Sequence, residues 1–183
     1  VDDSIFGNGA YTSVLGGDGN DYISSGGATI NGGLGNDTII AHGNSDASVP
    51  TIYGGDGDDS ISALYDGPKV FAFGQNGNDY MSGAGQNDTL DGGSGNDTLQ
   101  GNGGADVLTG GTGADVFAFI AAGANGLDTI QDFVHGTDIL QFTGADYGFA
   151  AGHVLTGSEF TAGATAVGSA AQFIWNAASH TLY

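Results

Sequence analysis

Eight six-residue segments stand out in this chain, each opening on glycine and closing on aspartate. They are Gly16–Asp21, Gly32–Asp37, Gly54–Asp59, Gly74–Asp79, Gly83–Asp88, Gly92–Asp97, Gly101–Asp106 and Gly110–Asp115. Each combines a carboxylate with backbone that can turn its carbonyl oxygens inward, because glycine adopts angles that a residue with a Cβ resists. Carboxylate and carbonyl oxygens together are the ligands of a hard cation such as calcium, which takes six to eight oxygens. No softer metal site competes. The chain has no cysteine, its histidines (His42, His135, His153 and His180) show no ligand spacing, and no H-E-x-x-H occurs. Asp56-Gly-Asp58-Asp-Ser60 suggests an EF-hand only superficially, since Ile61 stands where that loop needs glycine and no glutamate closes it.

The elements that position these carboxylates follow from a second periodicity. Two positions after each closing Asp comes an apolar residue: Ile23, Ile39, Ile61, Met81, Leu90, Leu99, Leu108 and Phe117. The same beat picks out Ile5, Val14, Ile30, Ile52 and, more weakly, Ala72. Such stretches are very short strands with one side chain pointing inward. No single repeat can bury that side chain, so stability must come from stacking coils. The prediction is all-β: a right-handed parallel β-roll with two short strands per turn over residues 1–119, and a C-terminal β-rich cap over 120–183.

The two edges of this roll differ. Odd-numbered strands follow a full glycine loop, apart from a truncated first one at Asp3. Those loops begin at 16, 32, 54, 74, 92 and 110. Even-numbered strands follow irregular turns (residues 7–12, 25–29, 40–51 and 62–70) until the loops at 83–88 and 101–106. Six stacked loops leave five gaps on the regular edge, and the later pair leaves one more. About six calcium ions are therefore expected, mostly along one edge, with one or two extra at the ends.

Composition agrees. One basic residue, Lys69, stands against 21 acidic ones, for a net charge of -20. That excludes nucleic-acid binding through phosphates and disfavours anionic membranes. No apolar run is long enough to span a bilayer. A column of like charges opposes compaction unless cations enter it. Catalysis finds no support: Gly92-Gly-Ser94-Gly-Asn96 breaks the G-x-S-x-G pattern, and the carboxylates recur with the repeat instead of pairing. Ser and Thr beside the inward positions are interrupted by Tyr22, Tyr80, Val107 and Val116, which argues against a dedicated ligand ladder.

The repeat resembles the G-G-x-G-x-D-x-U-x nonapeptide of RTX (repeats-in-toxin) proteins, in which U is large and apolar. In that family the sixth-position Asp and backbone carbonyls of the loop provide calcium ligands. The resemblance thus implies ligands at Gly16, Gly17, Asp18, Gly19 and Asp21, then Gly32, Gly33, Leu34, Gly35 and Asp37, then Gly54, Gly55, Asp56, Gly57 and Asp59. It continues through Gly74, Gln75, Asn76, Gly77 and Asp79, then Gly92, Gly93, Ser94, Gly95 and Asp97, then Gly110, Gly111, Thr112, Gly113 and Asp115. On the second edge it implies Gly83, Gly85 and Asp88 with Gly101, Gly103 and Asp106. Asp3 would begin the column.

After Phe119 the nonapeptide stops. Asp128-Thr-Ile-Gln-Asp132-Phe-Val-His-Gly-Thr-Asp138-Ile-Leu-Gln-Phe142 alternates acidic and apolar residues like two strands joined by a turn at 135–137. It resembles the segment that closes RTX rolls in secreted bacterial proteins. A cap is needed there, because a solenoid end exposes apolar side chains and unpaired strand edges. Asp128 and Asp132 either complete a last calcium site or are solvated strand residues. Phe173 and Trp175 are expected on one strand of a hairpin with Leu182 on the other, and Ser158-Glu-Phe160 on a short helical turn. The resemblance implies a secreted, extracellular or surface protein exported by type I machinery, folding on calcium outside the cell. Self-association, an adhesin or surface-layer role, and a non-catalytic tail of a secreted hydrolase or lyase are the alternatives. The chain is expected to be a fragment of a longer one.

Overall fold

The computed structural model describes residues 1–7, 13–26, 29–42, 49–64, 69–119 and 126–142, together with the backbone of 160–162, 173–176 and 181–182. It is all-β. Odd strands β1 (Ser4–Gly7), β3 (Tyr22–Ser25), β5 (Thr38–Ala41), β7 (Ser60–Ala63), β9 (Tyr80–Ser82), β11 (Thr98–Gln100), β13 (Val116–Phe119) and β15 (Ile139–Phe142) form one parallel sheet in that order. Even strands β2 (Ser13–Asp18), β4 (Thr29–Leu34), β6 (Thr51–Asp56), β8 (Phe71–Asn76), β10 (Thr89–Ser94), β12 (Val107–Thr112) and β14 (Thr129–Ile130) form the other. The chain alternates between the sheets, so each pair of strands is one turn of a parallel β-roll.

Register sets the core. Ile23 pairs with Ile39, Ile39 with Ile61, Ile61 with Met81, Met81 with Leu99, and Leu99 with Phe117. Val14, Ile30, Ile52, Ala72, Leu90 and Leu108 run down the facing sheet. All of these are buried, and Ile5 is partly buried at the open end. Burying each Ile or Leu contributes roughly 1.5–3 kcal/mol. Ala72, the weakest expected member, is fully in register between Ile52 and Leu90.

The stacking continues past residue 119. Thr129–Ile130 adds to β12 and Ile139–Phe142 adds to β13, with Ile130 beside Leu108 and Leu140 beside Phe117. The two strands of the 128–142 segment are therefore successive rungs in different sheets. Beyond them, β16 (Phe160–Ala162), β17 (Phe173–Asn176) and β18 (Thr181–Leu182) extend the even sheet. The expected hairpin is present, with Trp175 opposite Leu182 in antiparallel pairing. Phe160, expected on a helical turn, instead begins a strand, while Ser158 and Glu159 lie outside the described residues. Most of the irregular even-edge turns also lie outside them, as do His153 and His180.

Candidate metal centre

The regular edge is built from two ladders of side chains. In the first, the sixth-position Asp of each loop receives the backbone N–H of the Asp one coil before it. Asp3 N donates to Asp21 Oδ1, Asp21 to Asp37, Asp37 to Asp59, Asp59 to Asp79, Asp79 to Asp97, Asp97 to Asp115 and Asp115 to Asp138, at 2.7–3.1 Å. In the second, the fifth-position side chain receives the N–H of the following coil. Asn36 N donates to Asn20 Oδ1, Asp58 to Asn36, Asn78 to Asp58, Asn96 to Asn78 and Ala114 to Asn96. The two ladders run in opposite senses and register each loop from both sides.

The first ladder uses only Oδ1. The second oxygen of Asp21, Asp37, Asp59, Asp79, Asp97 and Asp106 is buried without a hydrogen-bond partner. A buried, unpaired carboxylate oxygen costs more than most folds tolerate. On the regular edge its nearest surroundings make matters worse. A Cβ placed on Gly16 would lie well inside 3.0 Å of both Asp21 Oδ2 and the Gly32 carbonyl oxygen. Gly32, Gly54, Gly74 and Gly92 repeat this with Asp37 and Gly54, Asp59 and Gly74, Asp79 and Gly92, and Asp97 and Gly110. Each first glycine thus opens a cradle in which two acceptor oxygens from successive coils face each other, with no donor between them. That donor set fits a hard divalent cation. There are five such cradles between the six regular loops, matching the expected gaps.

Loop geometry explains the glycine pattern. The second and fourth positions take φ between +97° and +147° on this edge, as at Gly33 (+119°) and Gly35 (+117°), except for Gln75 at +82°. A Cβ on Gly33 would strike the Gly17 carbonyl, so the coils stack backbone to backbone. Third-position residues Asp18, Leu34, Asp56, Asn76 and Thr112 project outward and are exposed, and Ser94 is half-buried. Their carbonyls mostly accept the fourth-position N–H of the preceding loop, as Leu34 O does from Gly19.

Electrostatics follow burial. Desolvation pushes Asp59 and Asp106 up to about 7, and Asp79 and Asp97 up to about 6, each opposed by a backbone N–H and reinforced by neighbouring carboxylates. Asp37, Asp88, Asp115 and Asp128 are raised too, chiefly by desolvation. A metal-free column therefore resists carrying its full charge at neutral pH.

The remaining expected residues fall differently. On the second edge, Asp88 N donates to Asp106 Oδ1 and Asp106 N to Asp128 Oδ1, so Asp88, Asp106 and Asp128 form a shorter column. Loop 101–106 keeps the left-handed angles, at Asn102 (+68°) and Gly104 (+117°), around Gly103. Loop 83–88 does not. Ala84 and Gln86 occupy those positions there without positive φ, beside Gly85, and Ala84 N donates to Asp88 Oδ2. Asp132 joins neither column: its two oxygens accept Gly110 N and Gly111 N, covering the amides of the last regular loop. Asp138, absent from the expected ligands, ends the regular column. Its Oδ2 accepts Val134 N, and Gly136 has φ +87°. Its signal was the Gly136-Thr-Asp138 spelling, the second half of a loop. The fifth-position Asn ladder was equally visible as a column of Asn and Asp.

Among the described residues no group of three or more acidic or histidine side chains is placed to hold a metal ion by itself. This is a centre made of single carboxylates and carbonyls, repeated. No helix is long and apolar enough to cross a membrane. The family model for the RTX calcium-binding nonapeptide repeat matches in four copies, over residues 24–47, 51–64, 71–90 and 82–117. No curated protein and no solved structure matches the chain significantly. Loop 16–21 precedes the first matched residue yet has the same cradle. These coils carry RTX calcium-binding nonapeptide repeats, and their parallel β-roll is a structural calcium-binding module.

Proposed function

We propose that this roll folds when calcium fills its edge, and that it serves a protein exported unfolded and folded outside the cell. The observation that carries the reading is the set of six buried Oδ2 atoms without partners, five on the regular edge and one on the second. Asp21, Asp37, Asp59, Asp79 and Asp97, with the carbonyls of Gly32, Gly54, Gly74, Gly92 and Gly110, would hold five ions on the regular edge. A sixth belongs to the second edge. Calcium supplies there the positive charge that the chain lacks, with one Lys against 21 acidic residues. Other loop carbonyls complete the oxygen set.

The chain's own residues prepare these positions. The Oδ1 ladder holds each carboxylate at a fixed height, and the Asn ladder keeps the coils from slipping. The first-position glycines keep each cradle open. Metal binding to sites absent from the unfolded chain is folding free energy. At low intracellular calcium the charged column disfavours the roll and leaves the chain exportable. At roughly millimolar calcium outside, weak extracellular-type sites fill. Type I secretion is supported by the family alone. The module itself is structural, and any catalytic role belongs to other parts of its parent protein.

The test is far-ultraviolet circular dichroism of the chelated protein during a calcium titration, with magnesium as control. A cooperative rise of β-structure confined to calcium is expected. A full β-spectrum in excess chelator would rule out metal-driven folding.

A further inference from the structure

We propose that loop 83–88 takes no calcium: with Lys69 it forms a metal-independent clamp that closes the second edge of the coil Lys69–Leu90 before ions reach the roll. This rests on the calcium reading for the other loops.

Three observations carry it. First, Asp88 has no oxygen left over. Its Oδ1 accepts Val70 N and its Oδ2 accepts Ala84 N, both at 2.8 Å, and the side chain is buried. Among the described residues it is the one closing Asp of the eight loops that receives an amide at each oxygen. Gly83 does open toward Asp88 Oδ2 and the Gly101 carbonyl, as the first glycines of the regular edge do, but here the Ala84 amide supplies a donor. Second, the chain's only basic residue stands at this coil. Lys69 precedes Val70 and is the positive charge that acts on Asp88. Its Nζ also lies 4.7 Å from the Phe71 ring centroid, where cation and aromatic face attract. Third, the coil is tied to its neighbours by contacts that use no carboxylate. Phe73 stacks on Tyr53 with ring centroids 5.4 Å apart. Thr89 N donates to Val70 O, Gly103 N donates to Ala84 O, and the Asn102 amide group donates to Ser82 Oγ and Gly83 O. Val70, Ala72, Met81 and Ala84 are buried.

A buried carboxylate needs both opposite charge and hydrogen-bond donors. At Asp88 the chain supplies both from its own atoms, which are present at any calcium concentration. The clamp thereby offers the neighbouring coils a formed rung on which to stack.

Two measurements on the full chain test this. Native mass spectrometry in calcium should count as many ions on D88N as on wild type, and one fewer on D79N. An ion lost from D88N overturns the proposal, whereas a D79N count equal to wild type would sink the calcium reading on which it rests. Should D88N not fold, amide exchange of the wild type in chelator decides. The Val70, Ala84 and Thr89 amides, bonded to Asp88 Oδ1, Asp88 Oδ2 and Val70 O, should exchange about ten-fold more slowly than the Asp59, Asp79 and Asp97 amides of the regular edge. K69M should erase that difference. Equally fast exchange of both sets overturns the clamp alone. Equally slow exchange of both sets overturns the clamp and the proposed metal-driven folding with it.

Discussion

Replacing Asp79 by Asn should move stability in opposite directions with and without calcium. Asp79 Oδ1 accepts Asp59 N at 2.8 Å, and an Asn Oδ1 can keep that bond. The other oxygen is buried, unpartnered and turned toward the Gly92 carbonyl across the Gly74 cradle. Asn puts an NH2 there, a donor where two acceptors now face each other. Burial holds Asp79 up at about 6 against an ordinary 3.8. Removing its charge relieves a penalty of at most about 3 kcal/mol at neutral pH. The loop edge borders solvent and neighbouring charges adjust, so about 1–3 kcal/mol is the expected gain, including roughly 1 kcal/mol from the new hydrogen bond. In chelator this is a rise in Tm of roughly 2–10 °C. With calcium at about a thousand times Kd, the lost site costs about 4.1 kcal/mol, which outweighs that gain and leaves a net loss of about 1–3 kcal/mol with a corresponding fall in Tm. Thermal melts by circular dichroism in chelator and in calcium read both signs. If the metal-free chain is unfolded, the midpoint of a trimethylamine-N-oxide titration replaces Tm. D79N that is less stable than wild type in chelator would refute the facing-acceptor argument.

Acid should partly replace calcium. Asp59, Asp79, Asp97 and Asp106 are raised to between about 6 and about 7 in the folded, metal-free chain. A raised folded pKa penalises folding fully above that value, and the penalty vanishes below the unfolded value. Metal-free stability should therefore rise as pH falls from about 7 to about 4, while the calcium-loaded roll weakens as protons compete; melts across that range would show a crossing. G33A and G17A separate two costs of glycine replacement. Both sit at positive φ, worth about 1–3 kcal/mol, but a Cβ on Gly33 also strikes the Gly17 carbonyl while one on Gly17 meets nothing within 4 Å. Denaturant unfolding in calcium should find G33A clearly the worse, and equal losses would contradict coil-on-coil contact. Asn78→Ala removes the acceptor of Asn96 N at 2.8 Å and should cost about 1 kcal/mol equally in calcium and chelator; a loss seen only in calcium would assign Asn78 to the metal.

The nonapeptide spelling was enough to read the repeat, the inward ladder and the five gaps of the regular edge, because each depends on residue type at a fixed spacing. Glycine where φ must be positive, Asp at the sixth position and one apolar residue two later leave few alternatives once stacked eight times. Ala72 was legible for the same reason, as register carries a weak position along with strong neighbours. Legibility ended where spelling and geometry part. Phe133-Val-His replaces the opening of a glycine loop, so the coil ending at Asp138 read as part of a cap, although β15 pairs in full register with β13. Asp88 closes a well-spelled loop, yet Ala84 resists the left-handed backbone that glycine would take, and its amide turns onto the carboxylate. Asp132, read from the sequence as either a last ligand or a solvated strand residue, covers two amides. The composition determined that this chain needs cations, since one lysine cannot balance 21 acids. Only the stacked structure decided which oxygens are left for them, because each Asp accepts at Oδ1 from a neighbouring coil, and the local backbone decides whether the buried Oδ2 finds a donor.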